Sequence, residues 1–211
     1  MNELINETIE FIKRIFKDDF SGHDLYHTLR ILKLALKLAE QEKADKETVA
    51  FAALLHDVDD KKLSPKTAEN KDRAVNYLKS KKFSAEKING IIKIIDEISF
   101  RGTDSVTPSS IEGKCVQDAD RLDALGAIGI ARAFAYGGSR NRPLYDPETP
   151  PETNLSAEEY FKNNSSSINH FYEKLFLLKD LMNTKTGKEI AEERTEFMKV
   201  FVAEFLKEWD V

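Results

Sequence analysis

The amino-acid sequence predicts an all-α fold, organised as one domain over the 211 residues of the chain. Apolar residues recur every three or four positions through almost every segment, which is the period of an amphipathic helix. Residues 137–154 interrupt this pattern and contain four of the six prolines. A loop of that length inside a compact domain is usually functional or disordered. We therefore expect a helical bundle with a long Pro/Gly-rich loop, followed by two long C-terminal helices.

The first half of the chain predicts five helices. Ser21, Asp45 and Ser84 each precede an apolar periodic run, where a short polar side chain can cap free backbone N–H groups. Ser64 is followed by Pro65, and proline is favoured at the first position of a helix. Isoleucines form a stripe on the last of the five helices, as expected of a face that packs in the core. The predicted helices cover residues 2–17, 21–42, 45–57, 64–81 and 84–98, and the stripe consists of Ile88, Ile91, Ile92, Ile95 and Ile98.

The second half predicts three helices after an irregular segment at 100–110. The first contains Gly126 and Gly129, which each cost roughly 1 kcal/mol relative to alanine inside a helix. Glycine at such positions indicates close packing against a neighbouring helix or a ligand. The last helix carries aromatic residues one turn apart. The predicted helices cover residues 116–134, 156–182 and 185–209, and the aromatic residues are Phe197, Phe201, Phe205 and Trp209.

The composition is that of a soluble globular protein, with 41% hydrophobic residues, 33% charged residues and a net charge of −5. Lysine and arginine are spread along the chain, so no basic nucleic-acid-binding surface is expected. No apolar run is long enough to span a bilayer, and the N-terminus lacks the pattern of a signal peptide. Cys115 cannot form an internal disulfide, and we expect it in the core rather than as a nucleophile. These features predict a cytoplasmic monomer or homodimer without a nucleic-acid polymer or a membrane as partner.

The placement of the histidines points to a metal site. His23 and His27 lie four residues apart on one face of a helix, and His56 precedes Asp57 where a buried apolar run ends. Asp118, Asp120 and Asp123 lie on an otherwise apolar helix, where uncompensated carboxylates would be costly to bury. Any one of these residues alone is better explained as ordinary polar surface. Their combination favours a site with imidazole and carboxylate ligands.

Three segments, in this order, resemble the H…HD…D signature of the HD-domain metal-dependent phosphohydrolases. The match covers most of residues 20–135, and residues 21–24, 120–129 and 166–174 further resemble small stand-alone bacterial members, some of which are similar to nucleotide pyrophosphohydrolases. We accordingly expect one HD-type domain, with its metal-site core at about 20–135 and a C-terminal helical part at about 155–211. The three segments are His27-Thr28-Leu29-Arg30-Ile31, His56-Asp57 and Ala119-Asp120-Arg121-Leu122.

The resemblance implies that His27, His56, Asp57 and Asp120 bind one divalent metal ion. Manganese is our first choice; Fe, Co, Ni and Zn also suit mixed imidazole and carboxylate ligands, and Mg suits them less. Such an ion lowers the pKa of a bound water and thereby makes hydroxide available for attack on phosphorus. Residues 58–119 contain no histidine, so the additional ligands of binuclear HD phosphodiesterases and di-iron HD oxygenases are missing.

Further roles follow from the resemblance and from the charge of a phosphate substrate. Asp60 is expected to be the general acid/base, with Asp59 as the alternative one position earlier. His23 would contact phosphate or polarise water, or else lie in the second shell or at the surface; His170 would belong to the helical shell or contact phosphate. The loop carrying Arg140 would close over the substrate as a lid. The cations expected to bind substrate are Lys61, Arg101, Arg121, Arg140, Arg142 and Lys174.

The leading hypothesis is an enzyme that hydrolyses a nucleoside triphosphate to a monophosphate and pyrophosphate. Within the enzyme class, the alternative is a phosphatase of nucleoside monophosphates or of another small phosphorylated metabolite. A second class is a nucleotide or metal sensor that keeps the ligands without turnover. A third is a helical interaction module, which would purify without metal and tolerate mutation of the predicted ligands.

Overall fold

The computed structural model confirms the all-α prediction. Within the residues it describes, all regular secondary structure is helical. No described helix combines the length and the apolar character that crossing a membrane requires. Of the residues that marked predicted helix starts, Ser21 and Pro65 lie outside the described part of the chain. The structure describes residues 1–17, 24–60, 64, 66–99, 102, 104–153, 155–156, 158–159 and 165–210.

The helices follow the predicted order, with two long segments divided. In the first half they are α1 (Asn2–Ile15), α2 (Leu25–Glu42), α3 (Lys46–Leu55), α4 (Asp72–Ser80) and α5 (Ala85–Ile98). In the second half they are α6 (Ile111–Asp123), α7 (Gly126–Ser139), α8 (Asn169–Glu173), a 3-10 helix (Leu175–Leu181) and α9 (Lys185–Trp209).

The chain forms two compact units. The first comprises residues 1–99 and 106–119, and the second comprises residues 100–105 and 120–211. Helix α6 begins in the first unit and ends in the second. The expectation of one domain over residues 1–211 stays a prediction.

Helix α3 lies at the centre of the first unit. Every residue from Val49 to Leu55 is buried, and the helix packs against α1, α2 and α5. A helix with neighbours on several sides needs apolar residues around its whole circumference, which explains this unbroken apolar run. Burial of α3 brings its C-terminal end, His56 and Asp57, to the edge of the core.

Aromatic rings form much of the core of the second unit. The Phe134 ring lies 6.1 Å from that of Phe171 and 5.9 Å from that of Phe201, joining α7, α8 and α9. Helix α9 has the predicted bounds, and its Phe205 ring stacks on Trp209 at 5.8 Å. Phe197, the first of the aromatic residues that lie one turn apart on this helix, is 54% exposed.

Two predicted N-caps are confirmed. The Asp45 carboxylate accepts hydrogen bonds from the N–H groups of Glu47 and Thr48, and Ser84 Oγ accepts one from Lys87 N–H. Ile92, which was predicted to belong to the apolar stripe of α5, is only half-buried. Ile94, which was not part of the predicted stripe, is buried.

The predicted start of α4 at Ser64 was wrong. Residues 66–71 form turns, and α4 begins only at Asp72 after Lys71, whose φ is +52°. The Ser64 hydroxyl accepts a hydrogen bond from Arg73 Nη1 at 2.7 Å instead of capping a helix at its own position. A contact with a later residue thus replaced the local cap.

The predicted helix over residues 116–134 is divided into α6 and α7. Gly126 has a φ of +73°, a left-handed conformation that ends the helical path and is accessible to glycine at little cost. A Cβ atom on Gly129 would lie 2.2 Å from the Ala124 carbonyl oxygen. The expected close approach at Gly129 is therefore made by the backbone of the turn between the two helices.

The predicted continuous helix over residues 156–182 was also wrong. The N–H groups of Ser167 and Ile168 donate to the carbonyl oxygens of Pro143 and Leu144, each at 3.0 Å. Because these donors bond a distant loop, they are not available to a helix running through residue 167. Regular helix resumes at Asn169 as the five-residue α8.

Candidate functional site

His27, His56 and Asp57 come together in the first unit. One potential ligand atom from each residue lies within 4.8 Å of the others. Asp57 Oδ2 is 3.1 Å from His56 Nε2 and 3.5 Å from His27 Nε2. His27 is fully buried and Asp57 is 9% exposed, so the group is largely screened from solvent. This set of two imidazoles and one carboxylate can hold a divalent metal ion.

Two helix ends position these side chains. His27 is the third residue of α2, and its backbone N–H donates to Asp24 Oδ1 at 2.8 Å. Asp24 is thus the N-cap of α2, the place for which the sequence suggested Ser21. His56 is the C-cap of α3 and keeps helical backbone angles, so Asp57 follows directly after the last buried turn. Adjacent helical residues point about 100° apart, which lets both side chains reach a shared position.

The orientation of the His56 ring is set by the backbone of its own helix. Its Nδ1 lies 2.8 Å from the carbonyl oxygen of Ala53, which can only accept, so Nδ1 carries the proton. Nε2 is then the ring nitrogen that could bind a metal ion, and it lies 3.1 Å from Asp57 Oδ2. A backbone carbonyl that orients the other ring nitrogen in this way is usual for a metal-binding histidine. The donor set therefore fits a metal ion.

Asp120, the predicted fourth ligand, is half-buried on α6 and belongs to the second unit. The group that the structure brings together contains the other three predicted ligands. The role of Asp120 as a ligand stays a prediction.

The neighbouring acids Asp59 and Asp60 have different surroundings. Asp59 is 1% exposed, and its carboxylate accepts hydrogen bonds from the N–H groups of Arg73 and Ala74 at 3.2 and 2.9 Å. Asp59 therefore caps the N-terminal end of α4, a role that the sequence analysis missed because the cap comes from a distant residue. Asp60 is half-buried, and its N–H bonds the Asp57 carbonyl oxygen at 3.0 Å.

Three predicted substrate-binding cations share one region of the second unit. The guanidinium carbons of Arg140 and Arg142 lie 5.5 and 5.9 Å from the centre of the Tyr136 ring. Burial, followed by the charges of Lys174 and Arg142, lowers the pKa of His170 to about 3. His170 is therefore a neutral side chain in an environment to which Lys174 and Arg142 contribute positive charge. Its location agrees with a residue of the helical shell and also with a phosphate contact.

Of the remaining predicted site residues, the structure describes Arg121. Arg121 is buried and donates from Nη1 to the Leu181 carbonyl oxygen, which gives it a structural role in the second unit. His23, Lys61 and Arg101 lie outside the described residues.

The segment that carries Arg140 and Arg142 is bonded to α8 and the turn before it. Asn169 Nδ2 donates to the Thr149 carbonyl oxygen at 2.8 Å, and Glu152 N–H donates to Glu173 Oε1 at 3.2 Å. The two bonds from residues 167 and 168 reinforce this attachment. These hydrogen bonds favour a segment held against α8 over the mobile lid that the sequence suggested.

Comparison with known proteins identifies related sequences. The HD domain family matches residues 24–125. The Bacillus subtilis (strain 168) protein YpgQ is 41% identical over 200 residues, covering 94% of this chain and 90% of YpgQ.

Solved structures show the same relationship. A crystal structure of an HD-superfamily hydrolase from Bacillus thuringiensis superimposes with a TM-score of 0.78 and 44% identity, covering 100% of this chain and 98% of that one. The crystal structure of YpgQ in complex with ADP has a TM-score of 0.75 and 35% identity, covering 97% of each chain.

Proposed function

The chain belongs to the HD-domain family, and on this basis we propose that it is a metal-dependent phosphohydrolase of nucleotides. The observation that carries the proposal is the buried group of His27, His56 and Asp57. The proposed reaction converts a nucleoside triphosphate to a monophosphate and pyrophosphate. We propose manganese as the metal ion and the cytoplasm as the location.

A nucleotide substrate is supported by the related protein YpgQ, whose structure was solved with ADP. The positive charge that a polyphosphate requires is proposed to come from Arg140 and Arg142 beside the Tyr136 ring, and from Lys174, whose N–H bonds the His170 carbonyl oxygen. Arginine is well suited to this task because its planar guanidinium can bind two phosphate oxygens at once.

The proposed mechanism assigns metal binding and proton transfer to different residues. His27, His56 and Asp57 would hold the metal ion, with Asp120 proposed as the fourth ligand. When bound, the ion lowers the pKa of a coordinated water and neutralises charge on a phosphate oxygen. Asp60 is proposed to remove a proton from the attacking water. The water oxygen then bonds to the α-phosphorus, and pyrophosphate leaves with the bridging oxygen.

The remaining predicted residues keep the roles that the family resemblance implies. His23 is proposed to contact phosphate or polarise water, and Lys61 and Arg101 to bind phosphate. Arg121 was expected among the phosphate-binding cations, but its bond to the Leu181 carbonyl oxygen favours a structural contribution.

The test is product analysis with manganese-loaded protein and a panel of nucleotides, separating phosphate from pyrophosphate. We expect pyrophosphate from nucleoside triphosphates, and no product from the Asp57→Ala variant. Asp96→Ala is the matched control, because it removes a carboxylate whose side chain is 55% exposed in the same unit.

Other outcomes would assign another function. Phosphate released from nucleoside monophosphates would indicate a nucleotidase. Nucleotide binding without turnover under any metal would indicate a sensor. Equal activity of the Asp57→Ala variant and the wild type would contradict the proposed metal centre.

A further inference from the structure

We propose that Arg73 is a positioning residue, whose guanidinium joins the two ends of the segment at residues 58–64 and thereby holds Asp60 in place relative to Asp57. Its catalytic consequence rests on the function proposed above, in which Asp60 is the acid/base. The hydrogen bonds that carry the inference all lie within the first unit.

The Arg73 side chain bonds both ends of this segment. Its Nη1 donates to Ser64 Oγ at 2.7 Å and to the Val58 carbonyl oxygen at 3.4 Å. A terminal guanidinium nitrogen carries two hydrogens, so one Nη1 can serve both acceptors. Val58 is fully buried and Ser64 is 4% exposed, so water competes little for these bonds. One side chain thus closes the segment at its base.

Backbone hydrogen bonds place Asp60 inside the closed segment. Its N–H donates to the Asp57 carbonyl oxygen at 3.0 Å, and its own carbonyl oxygen accepts from Ser64 N–H at 2.7 Å. The backbone of Asp60 is therefore bonded on one side to a proposed metal ligand and on the other side to the residue that Arg73 holds. Loss of the guanidinium would release Ser64 and, through it, the carbonyl group of Asp60.

A second contact runs in the opposite direction, from the segment to the start of α4. The Asp59 carboxylate accepts hydrogen bonds from Arg73 N–H at 3.2 Å and from Ala74 N–H at 2.9 Å. Helix α4 therefore has an N-terminal cap that does not involve the Arg73 side chain. The guanidinium bonds the segment that follows Asp57 instead, which favours a role in ordering that segment over a role in starting the helix.

Ordering of this kind has a large effect on proton transfer. A general acid/base must lie within hydrogen-bond reach of the group that it serves, and a displacement of about 1 Å can lower the rate roughly 100-fold. Arginine suits the task because its planar group holds its donors in fixed directions, whereas lysine presents a compact ammonium on a flexible stem. Arg73 should therefore affect turnover more than substrate binding.

The test begins with steady-state hydrolysis of a nucleoside triphosphate by manganese-loaded wild type, Arg73→Gln and Arg73→Lys. We expect Arg73→Gln to lower kcat roughly 10- to 100-fold, with KM within about twofold of the wild-type value. Arg73→Lys should recover part of kcat, because an ammonium can still donate to one of the two acceptors. Manganese affinity, measured by calorimetry, should be unchanged in both variants.

Arg14→Gln is the matched control, because it removes an exposed arginine of the same unit. It should keep the kcat and KM of the wild type. A raised KM with normal kcat in Arg73→Gln would make Arg73 a substrate contact and overturn the proposal.

A double variant separates positioning of Asp60 from a general loss of structure. Asp60→Asn lowers kcat by itself in the proposed mechanism. Adding Arg73→Gln to Asp60→Asn should lower kcat no further, because no acid/base is left to position. A multiplicative loss of kcat in the double variant would show that Arg73 acts independently of Asp60, which would also overturn the proposal.

Amide hydrogen exchange, measured by NMR, gives a readout that does not depend on activity. The N–H groups of Asp60 and Ser64 are bonded within the segment, and Arg73→Gln should speed their exchange roughly fivefold or more. The amides of α5 should keep their wild-type rates, whereas a generally destabilised protein would exchange faster there as well. Unchanged exchange at Asp60 and Ser64 would contradict the ordering role of Arg73.

These measurements separate the positioning role from the hydrolase function. A wild type that hydrolyses no nucleotide, while Arg73→Gln still speeds exchange at Asp60 and Ser64, would refute the proposed function and leave the ordering of the segment supported. An active wild type whose kcat and amide exchange are unaffected by Arg73→Gln would refute the positioning role alone.

Discussion

Asp59 and Asp60 are adjacent in the sequence, but their carboxylates have different surroundings. Asp59 is buried against the first N–H groups of α4, with bonds at 3.2 and 2.9 Å. Asp60 is more exposed and lies three residues beyond Asp57, at the end of a hydrogen-bonded turn. A carboxylate used as a helix cap is poorly placed to exchange protons with a substrate, so this contrast supports Asp60 as the acid/base.

We predict that Asp60→Asn impairs catalysis, whereas Asp59→Ala impairs the stability of the fold. Asp60→Asn should lower kcat by about 100-fold or more, the usual contribution of a general acid/base, while stability and metal content are kept. Asp59→Ala should lower the free energy of unfolding by about 1–3 kcal/mol, because two N–H groups at the start of α4 lose their acceptor. Urea unfolding and steady-state kinetics would check both effects. A loss of kcat confined to Asp59→Ala would exchange the two roles.

Cys115 should be unreactive in the folded protein. Burial, with smaller contributions from the charges of Glu42, Asp118 and Glu112, raises the pKa of its thiol to about 12. The reactive thiolate is therefore scarce at neutral pH. We expect slow labelling by a thiol reagent at pH 8 in buffer and rapid labelling in denaturant. Rapid stoichiometric labelling of the native protein would contradict this prediction.

The raised pKa of Cys115 also makes stability depend on pH. The folded state keeps the thiol protonated, while in the unfolded state it ionises near its ordinary value of 9.0. Its contribution to stability is therefore fully present below pH 9 and is lost as the pH rises towards 12. Cys115→Ser should show a smaller loss of stability over this alkaline range, measured by urea unfolding.

Among the helices, the break between α6 and α7 depends on glycine. Gly126 adopts a left-handed conformation, and Gly129 leaves room for the backbone of Ala124. Gly138, in the same helix α7, has no atom within 4 Å of the position that a Cβ would occupy. These surroundings decide whether a methyl group is tolerated.

We predict that Gly129→Ala lowers the free energy of unfolding by about 1–3 kcal/mol, since the added Cβ would force backbone atoms apart. The matched control Gly138→Ala should leave stability unchanged or raise it by up to about 1 kcal/mol, because alanine is the better helix former. Chemical denaturation of both variants would measure the difference. Equal stability of the two would argue against a tight turn at residue 124.

For the molecule as a whole, metal binding should contribute to stability. His27 comes from α2, whereas His56 and Asp57 follow α3, so one ion would link two packed helices of the first unit. A ligand that binds only the folded state stabilises it in proportion to the logarithm of its concentration.

We predict that manganese at 100 times its Kd raises the free energy of unfolding by about 2.7 kcal/mol. Asp57→Ala should abolish this increase, whereas the exposed control Asp96→Ala should keep it. Denaturant unfolding with and without manganese provides the measurement, and it needs no activity assay. An equal increase in the Asp57→Ala variant would place the stabilising ion elsewhere.

Patterns within a few residues were sufficient to predict much of this protein. The helical period predicted the all-α class and the bounds of α9, and short polar residues predicted the caps of α3 and α5. The resemblance to the HD signature predicted His27, His56 and Asp57 as metal ligands, and the structure brings these three residues together. These features depend on local backbone preference and on the sequence of ligand types, both of which are visible in the chain.

Contacts between distant segments determined the rest. The N–H groups of Ser167 and Ile168 bond residues 143 and 144, and this prevents the long helix that periodicity predicted. Asp59 caps a helix that begins thirteen residues later, which distinguishes it from Asp60. No local pattern contains this information. A residue whose N–H bonds a remote partner can have the same neighbours in the sequence as a residue whose N–H bonds within its own helix.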